Sequence, residues 1–432
     1  MHLSEHEVLI GKFKHAAYKP CYWTEQSLRT GGRRHCYKHG FGIKSHLCIQ
    51  STSFRGCNIA CSFCWRDVEG RQHSFQRIDD PDLIAEELIS EQSALIERHL
   101  SFALDNFDNM VKIVHALGTD GKSFSVRELA EKCGISRQRA EDAIIDLKNA
   151  GVVKQIDCGR GLEKKFELEQ GVSSITRAEL SLERSREIVE QFVATRKDII
   201  DVHLEATKPK HVAISYDGEP TMYSRLGELI HEFRKRGIST FLVTNGTFPE
   251  RVARLKETGC LPTQLYVTLA APDKETYLRV CSSVKPYFPV HEDHWERLNR
   301  TLGLLSELGC RTVIRITSVK GVNMINPLGY RELVEKANPS FLEVKGFSIS
   351  GNAPRISERL GETDLGKDSP ELMRIALKYS PTHQEILEFS KQISEDFRVF
   401  PMVSQSELNR QVLMAVAWKD PSKVEIDFSK EL

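Results

Sequence analysis

Short apolar runs rich in β-branched residues alternate along most of the chain with longer stretches whose apolar residues return at helical spacing. In residues 295–308, a repeat of leucines at Leu298, Leu302, Leu305 and Leu308 is typical of one helix face. This alternation predicts a parallel sheet covered by helices. The six runs predicted to be strands are 46–51, 211–216, 240–244, 264–269, 312–319 and 341–346.

Six parallel strands suit a partial (β/α)6 TIM-like barrel, so we expect an α/β fold of that kind. In such barrels the functional side chains lie at the carboxyl ends of the strands. A cysteine-rich loop follows the first run, Gly218 and Glu219 follow the second, and Thr244 and Asn245 end or follow the third. The carboxyl edge of the sheet is therefore the predicted site.

Residues 105–170 interrupt the alternation and predict an inserted α+β module. Their order of elements resembles a winged helix-turn-helix, in which Arg137, Gln138 and Arg139 would reach a nucleic-acid groove. The 105–169 stretch nevertheless carries eleven basic and twelve acidic residues, unlike the basic surface of a nucleic-acid binder. We therefore favour a partner contact or a structural role. The predicted helices here are 81–100 before the module and 110–117, 126–133 and 137–149 within it, followed by strands 152–157 and 165–168 around a 159–161 turn.

Length and composition limit the possible size of the fold and its location, but they do not identify a binding partner. The 432 residues, 40% of them hydrophobic, suffice for a barrel-sized core and a smaller domain. The net charge is zero, although residues 1–72 carry eleven basic against five acidic residues. No apolar run reaches the roughly 18 residues of a membrane span, and no signal-peptide pattern opens the chain. We expect a cytoplasmic protein without membrane contact, whose thiols stay reduced.

Three cysteines carry the strongest chemical signal. Cys57, Cys61 and Cys64 have the spacing C-x3-C-x2-C. Three thiolates can hold three irons of a 4Fe-4S cluster and leave the fourth iron open, whereas structural zinc would need a fourth Cys or His close by. The triplet therefore predicts a cluster able to bind a further ligand, with a zinc knuckle or unrelated buried thiols as the alternatives.

The other cysteines are more widely spaced. Cys21, Cys36 and Cys48 lie 15 and 12 residues apart, too far for a local metal knuckle, although a folded N-terminal segment could gather them at the barrel mouth. Spacing leaves both outcomes open. Five single cysteines are expected to be small core residues: Cys133, Cys158, Cys260, Cys281 and Cys310.

Polar residues at the predicted strand ends suggest ligand contacts. Glu219 could accept a hydrogen bond from an ammonium group, and Gly218 would let the backbone approach closely. Thr244 and Asn245 suit ribose hydroxyls or a carboxylate, although Asn-Gly is also a common turn. Lys38 could face a polyanion, attack a ketone as a neutral amine, or be a solvated surface amine.

With Phe63 before its last cysteine, the triplet resembles the cluster loop of the radical S-adenosylmethionine (SAM) enzymes. Further stretches, covering most of the chain outside the insertion, are similar to one such family, the tRNA 4-demethylwyosine synthases of wybutosine biosynthesis. The resemblance implies a partial TIM-like barrel of the radical SAM type. The similar stretches are 36–50, 57–66, 79–81, 209–223, 241–250, 262–266, 311–315 and 343–346.

The family condenses N1-methylguanosine, at nucleotide 37 of phenylalanine tRNA, with pyruvate to form 4-demethylwyosine (imG-14), and 5′-deoxyadenosine and methionine are by-products. The resemblance implies this activity and two 4Fe-4S clusters here. The implied residues are Cys57, Cys61 and Cys64 for the SAM-binding cluster, Cys21, Cys36 and Cys48 for the second cluster, Lys38 for a Schiff base with pyruvate, and Gly218, Glu219, Thr244 and Asn245 for SAM.

The resemblance also leads to expectations about partners and domains. We expect a monomer that receives electrons from a separate flavodoxin or ferredoxin, because this chain lacks the flavodoxin-like domain of some family members. The insertion and the extra residues of 277–289 depart from the family pattern. The predicted segments are 1–52 with the second-cluster cysteines and the first strand, 53–104 with the cluster loop and first helix, the 105–170 module, the barrel remainder 171–350, and a C-terminal extension 351–432 packing on the barrel.

Three other functions stay open from sequence. A related radical enzyme could act on a different tRNA base or carbon donor. An iron-sulfur regulator could bind DNA through the insertion. A zinc-stabilised structural protein would use the cysteines without catalysis.

Overall fold

The computed structural model describes residue 3 and residues 6–67, 72–156, 163–173, 180–283, 293–366, 369–417 and 424–428. Within them, the main sheet has ten strands in the order β1-β2-β3-β8-β9-β10-β12-β13-β15-β14. The strands are β1 (Val8–Ile10), β2 (Ala16–Tyr18), β3 (Cys48–Thr52), β4 (Ile59–Cys61), β5 (Phe124–Ser125), β6 (Val153–Ile156), β7 (Lys165–Leu168), β8 (His211–Ile214), β9 (Ser239–Thr244), β10 (Gln264–Thr268), β11 (Cys281–Ser283), β12 (Arg311–Ser318), β13 (Phe341–Gly346), β14 (Met402–Ser406) and β15 (Gln411–Ala415).

The six central strands β3, β8, β9, β10, β12 and β13 are parallel, and they are the six predicted from sequence, with bounds within two residues. Antiparallel strands flank them, with β1 and β2 on one side and β15 and β14 on the other. These four edge strands were not predicted. Since β15 pairs with β13, part of the predicted C-terminal extension belongs to the sheet itself.

Helices cover one face of the sheet and alternate with its strands. In α8, for example, Leu226, Leu229, Ile230 and Phe233 are buried at helical spacing. Of the described residues, no helix has the length and apolar character needed to cross a membrane. The helices are α1 (Tyr22–Arg29), α2 (Pro81–Asp120), α3 (Val126–Cys133), α4 (Arg137–Asn149), α5 (Gln170–Ser173), α6 (Leu182–Phe192), α7 (Arg196–Ala206), α8 (Leu226–Lys235), α9 (Pro249–Glu257), α10 (Lys274–Val280), α11 (His294–Leu304), α12 (Pro327–Ala337), α13 (Ile356–Arg359), α14 (Glu371–Ala376) and α15 (His383–Ser394).

Residues of the parallel strands alternate between two hydrophobic cores. Ile314 packs with the helices in the larger core, whereas Val313 points to the opposite, inner face. Farther along β12 and β13 the inner face becomes polar and carries Arg315 and Lys345. This change from apolar to charged residues marks the carboxyl edge as the place where the sheet can bind polar ligands.

The predicted break between the first long helix and the inserted module is wrong, because α2 is one helix of 40 residues. Buried apolar residues such as Ala103, Phe107 and Met110 continue its helical spacing through the predicted gap. The helix ends only at Gly121, whose φ of 58° is left-handed. One continuous helix therefore joins the sheet to the insertion.

The insertion has a core of its own. Helices α3 and α4 follow α2, each capped by a serine, and β5, β7 and β6 form a small antiparallel sheet. Its hydrophobic core runs from Ala103 to Ile199 and includes α6, so it extends beyond the predicted end at residue 170. The predicted 159–161 turn lies outside the described residues. We call residues 103–199 the inserted module from here on.

Candidate active site

A solvent-open cleft of about 1150 Å³ lies at the carboxyl ends of the parallel strands. The cysteine loop after β3 forms one wall, and Arg315 and Lys345 of β12 and β13 line the cleft as well. The cleft brings together seven of the residues predicted from sequence: Cys57, Cys61, Cys64, Gly218, Glu219, Thr244 and Asn245.

The cysteine loop is held by a residue that sequence reasoning missed. Arg359, from the short helix α13, donates hydrogen bonds to the carbonyl oxygens of Cys64, of Ser62 at 3.4 Å and of Arg66 at 3.1 Å. Within the loop the Cys64 amide donates to the Cys61 carbonyl at 2.9 Å. Because Arg359 is 295 residues from Cys64 along the chain, no local sequence pattern predicts this contact.

The thiols of this loop suit a cluster better than a single ion. Burial, with Glu219 close by, raises the pKa of Cys57. Among the described residues no three His, Cys, Asp or Glu side chains are gathered for one metal ion. In a cubane cluster the three thiolates bind separate irons, so they face one cluster without converging on a single ion. Soft donors facing one open cleft therefore fit an iron-sulfur cluster.

Glu219 is a buried carboxylate held by four donors. Its Oε1 accepts from the Thr221 amide at 3.0 Å and from the hydroxyls of Thr221 and Thr244 at 2.6 Å each. Its Oε2 accepts from the Asn245 amide at 2.7 Å. Burial raises the pKa of Glu219, although these hydrogen bonds act against that. Because Oε2 has one described donor, it keeps acceptor capacity for an ammonium group at the cleft.

Gly218 is required by close packing against the cysteine loop. Its φ is +67°, and a Cβ at this position would collide with the carbonyl oxygens of Phe54 and Gly56, the latter at 2.5 Å. The next amide, of Glu219, donates to the same Gly56 carbonyl at 2.8 Å. The end of β8 and the start of the cysteine loop are therefore fixed to each other.

Asn245 also binds the cysteine loop. Its Nδ2 donates to Asn58 Oδ1 at 2.9 Å, and Asn58 in turn donates to Thr247 at 2.9 Å. Asn58 lies directly after Cys57 and was not singled out from sequence. Thr244 donates to Glu219, as described above. The structure thus places both predicted SAM contacts in a network that joins the end of β9 to the loop.

The second set of cysteines lies around Lys38. The Lys38 Nζ donates to Cys48 Sγ at 3.4 Å, and Lys38 is buried with Cys36 and Cys48. Cys21 caps α1, accepting from the Trp23 amide at 3.3 Å. Burial, followed by the neighbouring Cys36, raises the pKa of Cys21 to about 11. Cys48 raises this pKa as well, and the charge on Lys38 acts in the opposite direction. The fold therefore brings these four residues into one neighbourhood.

The charge on Lys38 is opposed by burial and supported by its neighbours. Burial alone would lower the pKa of this lysine. The electrostatic effects of Cys48, then Tyr37, outweigh burial, and the pKa of Lys38 is raised.

Tyr37 connects the second set to the cleft. Arg315 donates to the Tyr37 hydroxyl at 2.6 Å and to Glu343 Oε2 at 2.7 Å. The Lys345 Nζ lies 4.3 Å from the centroid of the Tyr37 ring. Burial, followed by repulsion from Arg315, lowers the pKa of Lys345 to about 8. Two cations that line the cleft, Arg315 and Lys345, therefore contact Tyr37, and Glu343 pairs with Arg315.

Arg66 also lines the cleft and forms ion pairs at 3.0 Å with Asp217 and Glu7. Cys281, expected to be a small core residue, is indeed buried, but its Sγ is 3.6 Å from Cys61 Sγ because β11 pairs with β4. Cys133, Cys260 and Cys310 are only half-buried, and Cys158 lies outside the described residues.

Comparison with known proteins places the chain in a family. The Radical SAM superfamily matches residues 176–334. The S-adenosyl-L-methionine-dependent tRNA 4-demethylwyosine synthase of Pyrococcus abyssi is 31% identical over 422 residues, covering 96% of this chain and 88% of the relative. The Pyrococcus horikoshii enzyme of the same name is 31% identical over 421 residues, with the same coverage. A human enzyme of that name, TYW1, is 25% identical, and the match covers 94% of this chain but 39% of the human protein.

Two solved structures share the fold. One is a TYW1 structure with a lysine-pyruvate adduct bound, with a TM-score of 0.57 and 24% identity, covering 94% of this chain and 92% of the other. The second, archaeal TYW1, gives a TM-score of 0.53 at 22% identity and covers 96% and 92%. The resemblance noted in the sequence is confirmed by these relatives. The chain belongs to the tRNA 4-demethylwyosine synthase family, the radical SAM enzymes of wybutosine biosynthesis.

Proposed function

We propose that this enzyme condenses N1-methylguanosine, at nucleotide 37 of a phenylalanine tRNA, with pyruvate to form 4-demethylwyosine. One observation carries the proposal: the cleft lined by the Cys57–Cys64 loop is also lined by Arg315 and Lys345, and both of these contact Tyr37, the residue before Lys38. The names of the relatives and the lysine-pyruvate adduct of a structural neighbour support it. The fold proposed for it is a partial (β/α)6 barrel of the radical SAM type, with a winged-helix-like insertion.

Cys57, Cys61 and Cys64 would hold the 4Fe-4S cluster that binds SAM. Glu219 Oε2 would accept a hydrogen bond from the methionine ammonium of SAM, while Gly218, Thr244 and Asn245 keep that carboxylate and the loop in place. Such a cluster with bound SAM would supply, on one-electron reduction, the cleavage of SAM into methionine and the 5′-deoxyadenosyl radical that takes a hydrogen atom from a methyl group. We propose that the electron comes from a separate flavodoxin or ferredoxin.

Cys21, Cys36 and Cys48 would hold the second 4Fe-4S cluster. Lys38 would attack the carbonyl carbon of pyruvate and form a Schiff base, with release of the carbonyl oxygen as water. Burial favours the neutral amine that this attack needs. The neighbouring thiolates oppose it, and metal ligation would share their negative charge. Lys38 would therefore be a better nucleophile when its cysteines ligate a metal.

Arg315 and Lys345 would hold the carboxylate of pyruvate. Both line the cleft, and Glu343, which pairs with Arg315 at 2.7 Å, offsets one of their two charges. A buried net charge of this kind is stabilised by a bound anion. Tyr37, which contacts both cations and precedes Lys38 in sequence, puts this anion site next to the amine.

The test is anaerobic reconstitution followed by incubation with reductant, SAM, pyruvate and tRNA that carries N1-methylguanosine, with the nucleosides read by mass spectrometry. We expect the tricyclic base and equimolar 5′-deoxyadenosine. A Lys38→Ala variant that formed the base at full rate would remove the Schiff-base role. The exposed Lys44, which pairs with Glu205 at 2.9 Å, provides a control variant, Lys44→Ala, expected to keep full activity.

The same experiment separates the alternatives. Cleavage of SAM without the tricyclic base would point to another tRNA base or carbon donor. Absence of 5′-deoxyadenosine under reduction would favour a regulator, and zinc in place of iron and sulfide would favour a structural protein. We further propose a monomer that works in the cytoplasm, where its tRNA substrate is found.

A further inference from the structure

The segment 21–36, which links the first two cysteines of the second set, is attached to the inserted module by three arginines. Arg29, Arg33 and Arg34 all lie in this segment, and each donates to the module. The three arginines and the inserted module lie outside the stretches on which the family resemblance rests.

Arg29 makes the buried contact. Its Nε donates to Asp146 Oδ2 at 2.7 Å, and its Nη2 donates to the Asp142 carbonyl at 2.9 Å. The side chains of Arg29 and Asp146 are 3% and 0% exposed. Asn106, from α2, donates to the same carboxylate oxygen at 2.8 Å. A buried pair with this much directional bonding tolerates little displacement of α1 relative to α4.

Arg33 and Arg34 bind the ends of two module helices. Arg33 donates to the carbonyls of Gln191 and Glu190 at 3.0 and 3.1 Å, in the last turn of α6. Arg34 donates to the carbonyl of Asn149, the last residue of α4. Last-turn carbonyls lack partners within a helix and carry the negative end of its dipole, so guanidinium groups suit them.

The opposite side of the segment is attached to the residues that lead into β3. Thr24 donates to the Ser45 carbonyl at 3.0 Å, and the Cys36 amide donates to Ser45 Oγ at 2.8 Å. Ser45 is three residues from Cys48. The segment is therefore held between the module on one side and the strand that bears the third cysteine on the other.

The residues expected to reach a nucleic-acid groove are engaged within the module. Arg137 pairs with Glu141 at 3.0 Å, Gln138 donates to Asp142 at 3.2 Å, and Arg139 pairs with Asp105 at 3.6 Å. Helix α4 also has its Asp146 face buried against α1. These contacts favour the structural role over the nucleic-acid role for the insertion.

We propose that the inserted module is the scaffold of the second cysteine set: through Arg29, Arg33 and Arg34 it holds segment 21–36 so that Cys21 and Cys36 face Cys48. The inference rests on the proposed second cluster for its function, but not for its geometry. Arg29 acts here as a positioning residue, since it contacts the module and not a ligand.

The test compares Arg29→Met with Arg137→Met, which removes an exposed arginine from the same module. In the iron-free full-length protein, hydrogen exchange of segment 21–36 should become about tenfold faster in Arg29→Met, with β9 unchanged. After reconstitution, wild type and Arg137→Met should hold about eight irons per chain and Arg29→Met about four, as in a Cys21→Ala/Cys36→Ala/Cys48→Ala reference.

A double variant, Arg29→Met/Asp146→Leu, provides a second test if Arg29→Met folds poorly, because the Asp146 carboxylate is removed together with its partner. Glu25, which contacts Arg29 at the longer distance of 3.4 Å, keeps its charge in this variant. The double variant should fold and still hold about four irons. Unchanged exchange and about eight irons in both Arg29 variants would overturn the scaffold. If wild type held only about four irons, the protein would have no second cluster. The hydrogen-exchange rates alone would then test whether the module holds segment 21–36.

Discussion

The two cysteine sets of this enzyme are built in opposite ways. Cys57, Cys61 and Cys64 occupy eight consecutive residues, and their loop is fixed to the adjacent strand ends through Gly218 and Asn245. Cys21, Cys36 and Cys48 are spread over 28 residues and depend on a helix, a short helical turn and a strand from different parts of the fold. A compact motif can specify its own geometry, whereas a dispersed set needs a scaffold.

The largest expected effects separate the chemistry of the two sets. Cys61→Ala should abolish both 5′-deoxyadenosine and the tricyclic base, because the SAM-binding cluster loses a ligand. Cys36→Ala should abolish the tricyclic base but still release 5′-deoxyadenosine. Liquid chromatography of the small molecules and mass spectrometry of the tRNA measure the two products. Loss of 5′-deoxyadenosine in Cys36→Ala as well would show that the sets do not act separately.

A pair of glycines tests how tightly the first set is fixed. Gly218 and Gly237 both have φ of +67°, but only Gly218 packs against backbone oxygens, whereas nothing lies within 4 Å of a Cβ at Gly237. We expect Gly218→Ala to destabilise the protein by about 2–4 kcal/mol and Gly237→Ala by about 1–2 kcal/mol. Thermal unfolding of the iron-free variants measures this, and equal losses would contradict the close contact with the loop.

The anion site near the second set should depend on pH through Lys345. Because burial lowers the pKa of Lys345 to about 8, its ammonium is present below that pH and is lost as the pH rises through it. The KM for pyruvate should therefore rise above pH 8 in wild type. Arginine is charged throughout this pH range, so the Lys345→Arg variant should lack the part of the KM increase that comes from deprotonation of Lys345. The Lys345→Met variant should have a KM about tenfold higher than wild type below pH 8.

KM measured from pH 6.5 to 9.5 in the three proteins provides the comparison. Any pH dependence contributed by Lys38 is common to all of them, so the difference between wild type and the Lys345→Arg variant isolates the titration of Lys345. Identical profiles for these two proteins would contradict the role.

The smallest expected effect concerns the exposed face of the module. Arg137 and Glu141 are 70% and 35% exposed, so their ion pair should contribute less than about 1 kcal/mol. Arg137→Met should therefore leave stability and tRNA binding unchanged. Titration of fluorescent tRNA at fixed salt measures the binding, and a marked loss of affinity would restore the nucleic-acid role of the insertion.

The features that could be predicted from sequence are those that depend on residues close together along the chain. The six parallel strands are apolar runs buried on both faces, and the first cysteine set is a motif of fixed spacing. The strand-end residues Glu219 and Asn245 followed from the rule that barrels bind ligands at carboxyl ends. The chemical roles of all these residues stay predictions.

Features that depend on distant partners could not be predicted. The edge strands β1 and β14 are short and are defined by their pairing with β2 and β15. The approach of Cys281 to Cys61 results from the pairing of β11 with β4 across 220 residues. The Arg29–Asp146 pair spans 117 residues, and neither residue stands out among the many charges of the chain. These contacts are determined by tertiary packing, so they cannot be predicted from the spacing of residues along the chain.

Metal analysis with Mössbauer spectroscopy tests the central claim, that the two cysteine sets hold two separate 4Fe-4S clusters, most directly. Wild type and two triple cysteine-to-alanine variants, one for each set, would be reconstituted anaerobically with 57Fe. The account predicts about eight irons per wild-type chain and about four in each variant, with SAM changing the spectrum only where Cys57, Cys61 and Cys64 are intact. About four irons in wild type, all lost with the first set, would contradict it.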